Sequence, residues 1–459
     1  MLDNLITAPE TAAYPLHLVA PDKLDAVRER LSAESNRWLD ATGFQAKAGQ
    51  LCILPQPDGQ LQGALFCARA DDPWCLGDLA ARLPDACFKL VCDWNESQLI
   101  QALAGFQLGT YRFSRYKKVE RPSARLMIPD AVRSGPIESL TAAICLVRDL
   151  INTPAENMLP GDLAEATRGL ATEFGASFQT IVGDALLQSG YPAIHAVGRA
   201  SAAAPRLIEL LWGDPDAPKV SLVGKGVCFD SGGLDIKPPS SMRLMKKDMG
   251  GAANVLGLAR MIMHDGLPIR LRVLIPAVEN AISGNAMRPG DVIPTRRGLN
   301  IEIHNTDAEG RVILSDALAD ASDEKPRLLV DYATLTGAAR VAVGPEIAAM
   351  FSNDDALAGY LHQAGERLAD PCWRLPLHDG YEPMIDSSIA DVLNATTQPH
   401  AGATTAALFL RRFVAEQVPW VHFDIMAWNT RNRPGRPEGG EAMGIRAVYD
   451  YIETQIAQR

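Results

Sequence analysis

Two carboxylates and a guanidinium alternate along one short charged segment, Asn305–Arg311, which reads NTDAEGR. Asp307, Glu309 and Arg311 occupy every second position, and in an extended backbone side chains two positions apart point to the same face. Charges gathered in one place carry a high desolvation cost unless something neutralises them. Divalent metal bound by the carboxylates is the simplest solution, and Arg311 would then hold an anion. The segment therefore predicts a catalytic metal centre.

Further charged residues beside glycines and prolines are candidates to complete this centre. Lys225 and Asp230 lie in the glycine-rich run 224–233, directly after a predicted strand. Sites in open α/β sheets form at the carboxyl ends of strands, so both residues are suitably placed. Lys237 precedes two prolines and is expected in a rigid loop. Asp248 precedes a predicted helix, and local sequence alone favours an N-cap over a metal ligand.

Several other catalytic motifs are missing from the sequence. The run 224–233 fits neither the Walker pattern nor GxGxxG, and the chain has no HExxH and no GxSxG. Carboxylates without histidine or cysteine favour Mg²⁺, Mn²⁺ or Zn²⁺. A different two-metal hydrolase, such as a phosphoesterase, would share these carboxylates and is an alternative.

The composition predicts an ordinary globular protein. With 459 residues, 47% hydrophobic and 22% charged, the chain is long enough for two or three domains. A net charge of −11 disfavours general binding to nucleic acid or an anionic membrane. Eight cysteines without a CxxC pair indicate reduced thiols of a cytoplasmic protein. No secretory signal or apolar run of membrane-spanning length is evident.

The chain changes character near residue 120, which predicts an N-terminal α/β domain (1–125), a linker with a connecting helix (126–152) and a catalytic domain (153–459). In the last part, apolar strand candidates alternate with helix candidates, a pattern typical of a mainly parallel sheet covered by helices. The strand candidates are 207–212, 220–223, 271–277, 301–304, 328–332 and 420–425. The helix candidates are 163–174, 252–263, 313–321 and 404–414.

Taken together, the motifs resemble the leucyl aminopeptidase family, also called cytosol aminopeptidases. The NTDAEGR segment is similar to the signature of that family, and the other matching motifs follow in order at similar spacing: GKGVCFDSGG (224–233), IKP (236–238), KDMGGAA (247–253), RPGDV (288–292) and DYATLTGA (331–338). RDLINTPAENMLP (148–160) is similar to the start of the catalytic domain of the family. The resemblance covers the last two-thirds of the chain and is weak before residue 120.

This resemblance implies a fold, a function and a set of site residues. The implied fold is a small N-terminal α/β domain followed by a larger catalytic α/β domain with a mainly parallel central sheet. The implied function is removal of leucine or another neutral residue from the N-terminus of peptides, by a homohexamer with two divalent metal ions per subunit (Mn²⁺, Zn²⁺ or Mg²⁺). The implied metal ligands are Lys225, Asp230, Asp248, Asp307 and Glu309.

The resemblance also assigns the catalytic and substrate-binding residues. Lys237 and Arg311 are the implied catalytic pair, and Arg311 would hold a bicarbonate ion that shuttles a proton. The residues implied for substrate binding are Met245, Thr334, Leu335 and Gly337. One departure from the family concerns Met426, where many members carry a smaller residue, so the pocket for the first side chain is expected to be narrower.

One alternative of a different class is a DNA-binding regulator with secondary peptidase activity, since some bacterial relatives bind DNA. The acidic charge balance argues against this role, because affinity for nucleic acid depends on cationic side chains.

Overall fold

The computed structural model describes residues 3–8, 12–120 and 122–457. The chain divides into two compact units. The first comprises the described parts of Met1–Cys145 with Arg431–Glu438, and the second comprises the described parts of Leu146–Thr430 and Gly439–Arg459. The boundary falls inside a helix, Gly135–Asn152. Within the residues described, no helix combines the length and the apolar character needed to cross a membrane.

The first unit contains a mainly parallel sheet in the order β1-β6-β5-β2-β4-β3, in which only the β3–β4 pair is antiparallel among the described strands. Local sequence explains where the helix Glu96–Gly109 begins, because Asn95 and Gln98 form a capping box at its start. Its strands are β1 (Leu5–Ile6), β2 (Tyr14–Val19), β3 (Leu51–Pro55), β4 (Leu61–Cys67), β5 (Cys87–Val91) and β6 (Arg125–Met127). The helices up to the boundary are α1 (Leu24–Arg28), α2 (Ala33–Ala41), a 3-10 turn (Leu79–Ala81), α3 (Glu96–Gly109) and α4 (Gly135–Asn152).

The second unit is built on a larger sheet in the order β16-β15-β18-β14-β9-β11-β8-β7, with β10 also paired to β11. Strands β18, β14, β9 and β11 are mutually parallel, and antiparallel strands flank them on both sides. The strands are β7 (Ser177–Val182), β8 (Arg206–Trp212), β9 (Lys219–Gly224), β10 (Gly226–Asp230), β11 (Arg270–Asn280), β12 (Val292–Pro294), β13 (Asn300–Glu302), β14 (Leu328–Ala333), β15 (Ala348–Ser352), β16 (Cys372–Arg374), β17 (Val392–Leu393), β18 (Trp420–Asp424), β19 (Trp428–Asn429) and β20 (Gly439–Gly440).

Helices pack on this sheet, and two of them, α9 and α10, are buried along almost their whole length against the central strands. The helices are α5 (Pro160–Phe174), α6 (Ala185–Gln188), α7 (Pro192–Gly198), α8 (Pro239–Met242), α9 (Gly250–His264), α10 (Glu309–Asp323), α11 (Gly337–Val343), α12 (Asp355–Arg367), α13 (Gly402–Arg411) and α14 (Ile445–Tyr451). Shorter helical turns cover Ala155–Asn157, Met245–Met249, Asp379–Ile385 and Ile452–Ile456.

The predicted strands and helices of this unit agree with the observed ones to within a few residues. The largest difference that affects the site is the start of α10, which begins at Glu309 rather than at Ile313. The segment with alternating charges is therefore not extended throughout. Because residues two apart on a helix point in different directions, the prediction that Asp307, Glu309 and Arg311 share one extended face is wrong.

Candidate active site

The candidate site lies where several strands of the second unit end. β9 leads into Lys225, β10 ends on Asp230, β14 leads into Thr334 and β18 ends on Asp424. Because β9, β14 and β18 are parallel neighbours, their carboxyl ends share one edge of the sheet. Ligand sites of open α/β sheets form at this edge.

Three carboxylates form the centre of the site. Asp230, Asp307 and Glu309 each offer one oxygen, and these oxygens lie within 4.8 Å of one another. Asp230 and Glu309 are buried, whereas Asp307 is partly exposed. Carboxylate oxygens at this spacing form a group that can hold a divalent cation.

Two lysines bridge these carboxylates and connect them to a fourth carboxylate, that of Asp248. The Lys237 ammonium lies 2.8 Å from Asp230 Oδ2 and 2.5 Å from Asp307 Oδ1. The buried Lys225 ammonium lies 2.9 Å from Glu309 Oε1 and 2.8 Å from Asp248 Oδ2. The structure thus brings five predicted metal ligands and one predicted catalytic lysine into a single cluster. These residues, Lys225, Asp230, Lys237, Asp248, Asp307 and Glu309, are called the metal-site cluster below.

The electrostatics of the cluster favour an additional cation. Burial raises the pKa of Glu309 well above its usual value, the charges of Asp230 and Asp248 add to this, and Lys225 opposes it. Burial, followed by repulsion from Asp230, raises the pKa of Asp307 to about 6. Among the described residues, Glu309 Oε2 has no hydrogen-bonding partner. A donor set of carboxylate oxygens and one amine fits Mn²⁺, Zn²⁺ or Mg²⁺.

The ion pairs keep Lys225 protonated. Burial lowers its pKa, but Asp248 and Glu309 act more strongly together and raise that pKa above its usual value. The same balance of burial against neighbouring carboxylates raises the pKa of Lys237. Cations beside Lys225 would reverse the balance there, because a nearby positive charge disfavours the ammonium form. The neutral amine is the form that can bind a metal.

Two of the carboxylates are oriented by hydrogen bonds from outside the cluster. Asp230 Oδ1 accepts from Asn280 Nδ2 at 2.8 Å and from the backbone N–H of Gly232 at 2.9 Å. Asp248 Oδ1 accepts from Thr334 Oγ1 at 2.6 Å. Each carboxylate therefore keeps its second oxygen directed to the lysines, and such supporting contacts commonly tune metal affinity.

Asp248 does not serve as a helix cap, so the local interpretation of this residue is wrong. It lies in the 3-10 turn Met245–Met249, and Met249 occupies the N-cap position of α9 without a side-chain hydrogen bond. The carboxylate contacts Lys225 and Thr334 instead. These partners are distant in the sequence, which is why local pattern alone favours the wrong role.

Arg311 lies on the first turn of α10 and makes no described hydrogen bond or ion pair with the metal-site cluster. Its Nη1 donates to the carbonyl of Asn394 at 2.8 Å, and its Nε has no partner among the described residues. Burial lowers the pKa of Arg311 to about 10, with Asp424 and Glu309 opposing, so the guanidinium remains charged at neutral pH. The side chain thus keeps hydrogen-bonding capacity for an anion.

Two glycines permit the close packing around Lys225. A Cβ at Gly310 would lie 2.6 Å from Lys225 Nζ, and a Cβ at Gly251 would lie 2.1 Å from the carbonyl oxygen of Tyr332. Neither distance is possible for a real side chain, so both positions require glycine if the lysine is to stay where it is.

The residues predicted to bind substrate differ in how they relate to the metal-site cluster. Thr334 contacts Asp248 directly, and Met245 begins the 3-10 turn that carries Asp248. Leu335 is half-buried and Gly337, at the start of α11, is exposed. No described hydrogen bond or ion pair joins Met245, Leu335 or Gly337 to the metal-site cluster.

Sequence reasoning missed two residues that organise this edge. Asn280 ends β11 and holds Asp230, and Asp424 ends β18 and accepts from the backbone N–H groups of Leu335 and Thr336, both at 3.0 Å. Each is a polar residue at the carboxyl end of an apolar strand. That position is the signal that could have identified them.

Comparison with known families and relatives agrees with the predicted family. The catalytic domain of the cytosol aminopeptidase family matches residues 145–449, and the M17 aminopeptidase N-terminal domain matches residues 14–129. A probable cytosol aminopeptidase of Methylobacterium radiotolerans is 41% identical over 470 residues, covering 95% of this chain and 93% of its own length. Another from Syntrophotalea carbinolica is 42% identical over 381 residues, covering 78% of this chain and 76% of its own.

Similar solved structures also agree with the predicted family. The cytosol aminopeptidase of Coxiella burnetii superposes with a TM-score of 0.95 at 49% identity, covering 99% of this chain and 100% of that one. The bottromycin maturation enzyme BotP in complex with Mn gives a TM-score of 0.86 at 33% identity, covering 96% and 99%. These matches confirm both the α/β fold class and the family predicted from the motifs. The chain belongs to the cytosol aminopeptidase family and is an aminopeptidase, a hydrolase of peptides.

Proposed function

We propose that the chain removes the N-terminal residue of peptides with two divalent metal ions held by the metal-site cluster. Leucine and other neutral residues are the first residues that the family resemblance implies. The observation that carries the proposal is the cluster itself, in which three carboxylate groups converge within 4.8 Å and two lysines bridge them. The metal ligands in this proposal are Lys225, Asp230, Asp248, Asp307 and Glu309.

Metal ions at this site, Mn²⁺, Zn²⁺ or Mg²⁺, would supply a polarised scissile carbonyl and a bound water of lowered pKa. The unpartnered Oε2 of Glu309 and the raised pKa values of Glu309 and Asp307 support this assignment. The structure of the relative BotP was determined in complex with Mn, which supports manganese as one candidate.

Lys237 is proposed to stabilise the negative charge that develops on the carbonyl oxygen. Its ammonium lies at the partly exposed side of the cluster, between Asp230 and Asp307. A cationic donor fixed beforehand by two ion pairs needs no reorganisation during the reaction, which is the basis of oxyanion stabilisation. Its raised pKa keeps it protonated at neutral pH.

Arg311 is proposed to hold a bicarbonate ion. The guanidinium is buried, and its Nε has no partner among the described residues. Because arginine remains protonated it cannot act as a base. Bicarbonate would supply the basic oxygen that the guanidinium lacks.

Assembly and location are proposed from the family resemblance: a homohexamer in the cytoplasm. Large apolar side chains that remain exposed on the single chain, among them Val341 and Ile389, support association with other subunits. Light scattering of the purified chain should give six times the monomer mass.

Hydrolysis by the metal-stripped chain tests the proposed function. Leucine p-nitroanilide should be cleaved only after Mn²⁺, Zn²⁺ or Mg²⁺ is restored, and p-nitrophenyl phosphate should not be cleaved under the same conditions. Metal analysis should find two ions per chain. Cleavage of the phosphate ester with no cleavage of the anilide would overturn the proposal in favour of another two-metal hydrolase.

A further inference from the structure

One buried asparagine, Asn394, lies beside the loop that carries Asp307. The short strands β13 and β17 are parallel neighbours, with Glu302 next to Leu393. The chain that leaves β13 forms the loop 303–308, and the chain that leaves β17 begins with Asn394. Two segments that are far apart in the sequence therefore leave the same small sheet side by side.

The side-chain amide of Asn394 forms four hydrogen bonds with this loop. Its Oδ1 accepts from the backbone N–H groups of His304 at 2.7 Å and of Asn305 at 3.1 Å. Its Nδ2 donates to the carbonyl oxygens of Asn305 at 2.6 Å and of Ala308 at 3.3 Å. The side chain is 0% exposed. Because an unsatisfied buried amide is costly, the loop is held in one position relative to Asn394.

The main chain of the same residue holds the guanidinium of Arg311. Arg311 Nη1 donates to the carbonyl oxygen of Asn394 at 2.8 Å, which is the only hydrogen bond of this guanidinium among the described residues. The backbone N–H of Asn394 donates in turn to the carbonyl of Glu302 at 3.0 Å. One residue thus connects the loop of a proposed metal ligand to the proposed anion-binding group.

A buried asparagine can serve only to stabilise a loop, but this loop has a second anchor. Thr306 holds it from another side, because its backbone N–H donates to Asp235 Oδ2 at 2.8 Å. The carbonyl groups that Asn394 contacts lie on either side of Asp307 in the sequence. Loss of the amide should therefore displace the Asp307 carboxylate while the loop as a whole stays in place.

We propose that Asn394 is a positioning residue of the aminopeptidase reaction, which fixes Asp307 for metal binding and Arg311 for anion binding. It acts through these two residues rather than by touching the metal or the substrate. Contacts that orient metal ligands commonly contribute about 10–100-fold to metal affinity or activity. The inference rests on the proposed two-metal function, in which Asp307 and Arg311 have their roles.

The first test measures Mn²⁺ affinity by calorimetry on the metal-stripped full chain, so that its result does not depend on activity. Asn394→Ala should raise the Kd for Mn²⁺ by about tenfold or more, because Asp307 is no longer held in position. Asn394→Ser should raise it by a smaller factor, since the hydroxyl fits the same space and can keep part of the hydrogen bonding. The serine variant provides the test by itself if the alanine variant does not fold.

The second test measures the contribution that is made through Arg311. At saturating Mn²⁺, Asn394→Ala should lower kcat for leucine p-nitroanilide by about tenfold and leave KM close to the wild-type value. In a chain that already carries Arg311→Ala, the same substitution should lower kcat by about twofold or less, because residues that act through one interaction are not additive. Fully additive effects would overturn the proposed link between the two residues.

Asn353→Ala is the matched control in the same unit. The Asn353 amide also holds distant backbone, since it donates to the carbonyl of Val418 at 2.9 Å and accepts from the N–H of Trp420 at 2.8 Å. These contacts lie at the opposite end of β18 from Asp424. This variant should lower the thermal stability and leave Mn²⁺ affinity and kcat at wild-type values.

Two outcomes separate failure of the inference from failure of the proposed function. If the Asn394 variants behave like the Asn353 control, with lower stability but unchanged Mn²⁺ affinity and kcat, the positioning role is overturned and the two-metal function stands. If the wild type binds no Mn²⁺ and cleaves no leucyl substrate with any of the three metals, the two-metal function itself is overturned, and the inference with it.

Discussion

Buried charged groups have different partners at the carboxyl edge of the large sheet and in its interior, although the same strands, β14 and β18, supply residues to both. In the interior, both carboxylate oxygens of Asp331 are used: Oδ1 lies 2.6 Å from His422 Nδ1 and Oδ2 accepts from Trp420 Nε1 at 2.7 Å. At the edge, Glu309 Oε2 and Arg311 Nε have no partner among the described residues. The interior pairs its charges internally, whereas the edge keeps capacity for ligands.

A second interior ion pair is also formed between buried side chains. Arg148 and Glu441 are both buried and make a forked contact, with Nη2 3.0 Å from Oε2. Asn429 Nδ2 donates to the same oxygen at 2.6 Å. Interior substitutions should therefore change stability and leave chemistry intact, while edge substitutions should do the reverse.

The largest effect is expected for Lys237→Ala at the edge. Loss of one preorganised oxyanion donor commonly lowers kcat by about 10²–10³-fold, and hydrolysis of leucine p-nitroanilide should fall by this much. Metal content and the free energy of unfolding should stay near the wild-type values, because Lys237 is not a proposed metal ligand and is partly exposed.

Lys219→Ala is the control for this variant. Lys219 begins β9, at the opposite end of the strand from Lys225, and among the described residues its ammonium donates only to the carbonyl of Glu324, at 3.5 Å. This variant should keep wild-type kcat. Unchanged turnover in Lys237→Ala would remove Lys237 from the mechanism.

The next effect is expected in the interior, for Asp331→Asn. Removing one partner of a buried ion pair costs about 3 kcal/mol of unfolding free energy, because His422 loses its counter-charge. Urea denaturation should show this loss, while metal content and kcat of the folded protein stay close to wild type. Asp323→Asn, at the exposed end of α10, should change neither quantity. A loss of metal with no loss of stability in Asp331→Asn would contradict the separation of interior from edge.

Glu309→Gln, at the edge, should give the opposite result: loss of metal binding without loss of stability in the metal-free chain. Removing a buried carboxylate whose pKa is strongly raised should not lower the stability of the metal-free chain, because an unfavourable charge is removed with it. Stabilisation by added Mn²⁺ should be lost, a difference of about 2.7 kcal/mol when the metal is at 100 times its Kd for the wild type. Thermal unfolding with EDTA and with Mn²⁺ measures both quantities. Equal stabilisation by Mn²⁺ in variant and wild type would remove Glu309 from the ligand set.

The sequence was sufficient for the fold class and the family because both depend on local signals. Apolar strands alternating with helices predicted a mainly parallel sheet, and the ordered motifs from 224–233 to 331–338 predicted the family. The role of Asp248 and the start of α10 were not predictable locally. The Asp248 carboxylate accepts a hydrogen bond from Thr334, 86 residues further along the chain, and does not cap α9.

The partners of single charged residues were also beyond local reasoning. Asn280 donates to Asp230 across 50 residues, and although each residue ends a strand, the local sequence does not indicate that the two meet.

The smallest effect is expected in the pH dependence of stability, and it arises in the interior. Burial, and to a smaller extent the charge of Arg311, lower the pKa of His422. The charges of Asp331 and Asp424 raise it more strongly, so the pKa lies above its usual value. A group with a raised pKa in the folded state stabilises fully below its unfolded pKa of about 6.5 and loses that contribution as pH rises through the folded value. The unfolding free energy of the metal-free chain should therefore fall more steeply as the pH rises above about 6.5 in wild type than in His422→Gln. Equal slopes in urea denaturation would show that His422 is neutral in the folded protein, and the interior pair would then be a neutral hydrogen bond rather than a balanced charge.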